Sequence, residues 1–133
     1  MSTRQQYQTA LKMIPILVYW AKNETDITHY YSDLSAAAGY GSPRIGNILI
    51  VIQQILDNLS QKTGKHIPTL NCLVCNKVTG LPSSGFGFVS NDYTSMPKER
   101  QRKLIRQLNH TAASYDWSWV LQQLDLKPLD EPQ

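Results

Sequence analysis

Between Ser42 and Gly64 the chain carries one continuous helical signal. Ile45, Ile48, Leu49, Ile52, Ile55, Leu56 and Leu59 recur at the spacing of a single helix face. Asn47, Gln53, Gln54, Asp57, Asn58 and Gln61 fall mainly off that stripe. Ser42 reads as the N-cap and Pro43 as the first helical residue, where a missing N–H costs nothing. Gly64 reads as the stop. The stripe is rich in β-branched residues, which lower intrinsic helix propensity, so the helix is stable only if the stripe is buried. Any fold for this chain has to cover it.

The neighbours of this helix suggest how. Upstream, Ser32 reads as the N-cap of a short helix over 33–38, and Ala36, Ala37 and Ala38 allow a second helix to approach closely. Gly39 and Gly41 supply the turn between the two helices. Downstream, Leu70, Cys72 and Val74 alternate within Ile67–Val78, and Thr79 and Gly80 mark a turn. Gly85–Val89 then offers a return strand. A short helix, a glycine turn, a long helix and a hairpin in that order form the sequence pattern of a helix-turn-helix with a wing.

The flanks are helical. Tyr7, Leu11, Ile14 and Val18 share a face before Lys22, with Pro15 marking a kink or restart and Trp20 closing the core. A connection follows, with a short extended segment within Thr25–Tyr30. Ser95 to Pro97 open a further helix with Leu104, Ile105 and Leu108 on its apolar side. A last helix from near Ser114 to Leu124 buries Trp117, Val120, Leu121 and Leu124. The expected fold is α+β: a winged helix-turn-helix-like core with an N-terminal helix and additional C-terminal helices. One domain over 1–126 and a flexible tail over 127–133 are expected.

Charge and composition narrow the partners. The 133 residues carry a formal net charge of +3, which favours anionic partners without the density of a nucleic-acid-coating tail. No apolar run approaches the roughly 20 residues that span a membrane. The polar start shows no signal-peptide pattern. Two cysteines do not make a secreted disulfide scaffold, so a cytoplasmic setting is expected.

Three groups of residues are candidates for binding. Ser42, Arg44 and Asn47 stand where a recognition helix meets nucleic acid, its N-terminal amides suited to a phosphate and its side chains to base edges. Lys77 and Thr79, with Ser83 and Ser84, stand on or near the wing. Lys98, Arg100, Arg102, Lys103 and Arg106 form the most basic stretch, offset only by Glu99. The plain alternatives are an ordinary helix cap, a polar loop tip and a solvated helix face.

Catalytic patterns are lacking. Cys72 and Cys75 have metal-ligand spacing, with His66 nearby, but no second pair completes a tetrahedral site, and they read as core cysteines. The glycine-containing stretches lack a phosphate-loop lysine and a nucleophile elbow. Asp26, Asp33, Asp57, Asp92 and Asp116 are scattered; His110 and Asp116 could meet in a nuclease site, but they read more simply as a surface histidine and a helix-start aspartate. No catalytic, cofactor or metal residue is assigned.

The order of elements from Tyr30 to Phe88 resembles the winged-helix domain of the O6-alkylguanine alkyltransferases and their alkyltransferase-like relatives. The motifs that carry it are "YYSDLSAAAGYGSPRIGNIL" and "IPTLNCLVCNKVTGLPSSGF". The resemblance implies minor-groove DNA binding through the recognition helix, with Arg44 nearest to the arginine that fills the space of a flipped base. Thr69, not a cysteine, follows Pro68, and no histidine follows Cys72, so alkyl transfer is not implied. The expected function is non-catalytic DNA binding in regulation, defence or phage–host interaction, with RNA also open. A protein-interaction module, as in an inhibitor or immunity protein, is the main alternative. A small nuclease or a zinc-stabilised domain ranks below both.

Overall fold

The computed structural model describes residues 3–24, 29–42, 44–82 and 92–129. The elements are α1 (Thr3–Asn23), β1 (His29–Tyr30), α2 (Tyr31–Ala37), α3 (Gly46–Thr63), β2 (Val74–Cys75), α4 (Lys98–Ser114) and α5 (Ser118–Gln123). Short 3₁₀ turns cover Asn71–Leu73 and Tyr93–Ser95. The architecture is a mixed α+β domain with an N-terminal helix, a small two-stranded sheet and C-terminal helices, consistent with a winged-helix-like arrangement.

The centre of the molecule is α1. Every residue from Met13 to Val18 is buried, and a helix that is apolar on all sides has to be enclosed. It packs against α2, α3, α4 and the Asn71–Leu73 turn. It is the element the others surround. Tyr7, assigned to its inner face, is 46% exposed. Pro15 lies within one continuous helix and removes the donor that the Leu11 carbonyl would have used. Packing on every side holds the helix through that defect. At its end, Trp20 stacks flat on His29, with ring centroids 3.7 Å apart and planes at 4°. His29 Nε2 lies 2.9 Å from Glu24 Oε2.

All seven residues of the α3 stripe are buried. The start of the helix differs from expectation. Ile45 occupies the N-cap position, and the Ser42 hydroxyl instead accepts the Arg44 N–H at 3.1 Å within the preceding loop. Pro43 lies outside the described residues. Likewise, α2 starts at Tyr31, so Ser32 sits in its first turn and is not the cap. The Asp33 carboxylate reaches back to accept the Tyr30 N–H at 2.7 Å. Gly39 (φ 70°) and Gly64 (φ 72°) follow the ends of α2 and α3 in the left-handed conformation expected of them. The connection over 38–45 is longer than the roughly three to four residues of a tight helix-turn-helix. The buried Ser35 hydroxyl fixes it by bridging the carbonyls of Tyr40 and Ser42.

The segment after α3 is not the long strand the alternation suggested. Residues 67–75 are buried throughout, and strand geometry is confined to Val74–Cys75. Polar side chains explain the difference. Thr69 Oγ1 accepts the Asn71 N–H at 3.1 Å, and Asn71 Nδ2 donates to the Leu49 carbonyl at 2.9 Å. Such local bonds offer the backbone an alternative to a ladder and favour a turn. β2 pairs in parallel with β1, His29 opposite Val74 and Tyr30 opposite Cys75. A tight turn follows: Asn76 N–H donates to the Leu81 carbonyl (2.9 Å) and Gly80 N–H to the Asn76 carbonyl (2.8 Å). The expected return strand Gly85–Val89 lies outside the described residues, as do Ser83, Ser84 and residues 130–133.

The C-terminal boundary also moves. α4 runs to Ser114, and α5 begins only at Ser118. Trp117 is fully buried between them and donates its indole N–H to the Ala112 carbonyl at 2.8 Å. Asp116 accepts the Ser118 N–H at 3.1 Å, which starts α5. Leu126 and Leu129 pack, partly buried, against the core.

Candidate nucleic-acid interface

The structure sorts the candidate residues into three groups. Ser42, Arg44 and Asn47 lie at the entry to α3. Ser42 is half-buried and its hydroxyl is engaged by the loop, whereas Arg44 and Asn47 are exposed. Beyond Asn47 the exposed positions of α3 are Gln54, Asp57, Asn58, Gln61 and Lys62. This face holds hydrogen-bonding groups but little positive charge. Gln53, read as lying off the stripe, is buried. Its carbonyl accepts from Thr69 Oγ1 at 2.7 Å and its amide donates to Asp57 at 3.0 Å.

Lys77 stands exposed in the turn after β2, its Nζ 5.6 Å from the centre of the Tyr30 ring. Side chains close the turn: Val78 N–H donates to Asn76 Oδ1 (2.8 Å), and Leu81 N–H donates to Thr79 Oγ1 (3.2 Å). Val78 projects from it with 93% of its surface exposed.

The third group is α4. Lys98, Arg100, Arg102, Lys103 and Arg106 are all exposed. Arg100, Arg102, Lys103 and Arg106 line a concavity of about 700 Å³ together with Pro97 and Glu99. The remaining member, Lys98, is at the first helical position. The nine residues 98–106 carry five cations and one acid, whereas the whole chain has a net charge of only +3, so the rest is close to neutral. The charge also sits in an unfavourable place. The N-terminal end of a helix is the positive end of its dipole. The pairs Lys98–Arg102 and Arg102–Arg106 repel at i,i+4 spacing. No salt bridge joins any of these cations to another described residue. Glu99 is the one acid in residues 98–106, at i,i+3 from Arg102 and i,i+4 from Lys103, so the stretch keeps a local excess of positive charge.

What holds this face in place was not visible in the sequence. Gln101, on the buried side of α4, donates to the Tyr93 carbonyl at 2.7 Å. The Tyr93 hydroxyl donates to the Pro82 carbonyl at 2.9 Å, just beyond the turn that carries Lys77. A chain of two buried hydrogen bonds thus connects the basic helix to the turn region. A lone glutamine in a basic helix and a tyrosine in a loop carry no periodic signal that would have found them.

The cysteines are buried. Cys72 Sγ donates to the Thr69 carbonyl at 3.7 Å, and burial pushes its thiol up to about 12. Cys75 Sγ donates to the His29 carbonyl at 3.6 Å; burial, then the charge of Asp33, raises its thiol as well. His110 is exposed on α4, and Asp116 is bonded to Ser118. No helix among the described residues is long and apolar enough to cross a membrane. No protein-family model, no curated protein and no solved structure matches the chain.

Proposed function

We propose that the chain is a non-catalytic nucleic-acid-binding protein whose main partner is duplex DNA. The observation that carries the reading is the excess positive charge of α4, exposed around one concavity. A phosphate backbone supplies what that helix lacks, and counterion release supplies affinity without reading sequence. Arg44 and Asn47 at the entry to α3 are suited to a second contact, where a guanidinium and a carboxamide can reach phosphates or base edges. The resemblance of Tyr30–Phe88 to the alkyltransferase-like winged helix favours DNA among the possible polymers. Lys77 completes the set as a backbone contact from the turn.

Fluorescence anisotropy of a labelled duplex at low salt tests the proposal, repeated with single-stranded DNA and with RNA. Binding that prefers the duplex supports it. A folded sample that binds none of the three overturns it. A protein-interaction module is the second reading, and Val78, 93% exposed on the turn after β2, is the apolar side chain there that a partner could cover. If nucleic acid fails to bind, a Val78→Asp variant used beside the native chain in a pull-down tests that reading.

A further inference from the structure

A second site lies away from the basic helix and uses none of its residues. Between α1 and α5 is a cavity of about 340 Å³. Its walls are Pro15, Val18 and Tyr19 from α1, Leu121 from α5, and Leu126 and Leu129 from the segment that folds back after α5. Small-molecule sites are concave, mainly apolar and carry a few placed polar groups, with volumes of roughly 300–1,000 Å³. This cavity fits that description at the small end.

The polar groups around it decide the ligand class. Asn23 Nδ2 is engaged by the Tyr19 carbonyl at 3.1 Å, and the Ser118 hydroxyl by Asp116. Lys22 and Gln122 are exposed, and neither side chain hydrogen-bonds another described residue. Lys22 is the single charged side chain among the lining residues. We propose that this cavity binds a small amphipathic anion, an aryl or medium-chain alkyl carboxylate or sulfonate, with its apolar body against Val18 and Leu121 and its head at Lys22. Asp116, beside the lining residue Ser118, feels the charge of Lys22. Two hydrogen bonds from Ser118, and then the charge of Lys22, lower its carboxyl below the usual range.

The test uses the full chain and the fluorescent probe 1-anilinonaphthalene-8-sulfonate, with octanoate and octan-1-ol as competitors. The expected result is one saturable probe site from which octanoate displaces the dye. Lys22→Ala should weaken octanoate by about 1.4-fold to fivefold, the range of an exposed ion pair, and leave octan-1-ol unchanged. Gln122→Trp, at an exposed position that spares the core, should block the cavity and abolish probe binding while the melting temperature holds. No saturable site, or a site indifferent to Gln122→Trp, overturns the proposal. Octanoate binding unchanged by Lys22→Ala overturns the assignment of an anion.

Discussion

Gln101 Nε2 lies 2.7 Å from the main-chain carbonyl oxygen of Tyr93, and both residues are buried. This bond crosses from the first turns of α4 to the 3₁₀ turn before it, so the basic face is braced from behind. Replacing Gln101 with leucine keeps the bulk but leaves the Tyr93 carbonyl without that donor. The Met96 N–H still donates to that carbonyl at 3.2 Å, so the expected cost is that of one lost hydrogen bond, about 0.5–1.5 kcal/mol. Urea denaturation should show it as a lower midpoint at an unchanged slope.

Alkaline pH should expose the buried acids. Burial raises the Cys72 thiol from 9.0 to about 12. It also raises the Tyr93 phenol from 10.0 to about 12, with smaller contributions from Tyr31 and Cys75. Both are raised in the folded state, so the native form favours the neutral groups. Their contribution is complete below pH 9 and is lost as pH rises from there towards 12. The melting temperature should fall across that window. Cys72→Ala and Tyr93→Phe should each flatten the fall, even if they lower the value at pH 7.

What the sequence made legible follows its strongest periodicity. Each of the seven stripe residues from Ile45 to Leu59 is buried, because a β-branched helix of that pattern has no other way to be stable. The glycine stops at Gly39 and Gly64 were equally plain, since only a left-handed residue ends those helices cheaply. Other features depended on tertiary contacts. The apparent alternation after Ile67 gave way to a turn because Thr69 and Asn71 bond the backbone locally and reach back to Gln53 and Leu49. The centrality of α1 was masked by its polar first turns, which hide a middle buried all round. At the interface, the basic stretch of α4 was evident as composition. Its brace through Gln101 and Tyr93 was not, because the bond joins side chain to main chain across a loop.

The Thr69 network gives a test of that tertiary control. Thr69→Val is nearly isosteric but removes the donor to Gln53 and the acceptor for the Asn71 N–H. Both partners are buried, so a loss of about 1–3 kcal/mol is expected. Thermal unfolding measures it. Ile52→Asp is the harsher control: Ile52 is fully buried, and an unpaired charge there should prevent folding.

The charge on α4 should be a cost to the fold. Arg102→Ala relieves repulsion with both Lys98 and Arg106, offset in part by the lost attraction to Glu99 at i,i+3. It should raise the melting temperature by about 1–2 °C at low salt, with less gain as salt rises. Calorimetry at two ionic strengths reads this directly. A marked loss of stability would mean that the arginine serves the fold.

The most direct test of the nucleic-acid reading is the salt dependence of duplex binding by the native chain and by an Arg102→Ala, Lys103→Ala, Arg106→Ala variant. Each phosphate neutralised contributes about −0.9 to the slope of log affinity against log salt. The native chain should bind with a steep slope, and the triple variant should bind more weakly with a slope shallower by about 2–3. A folded variant with the native affinity and slope, or a native chain that does not bind the duplex at low salt, would contradict the account.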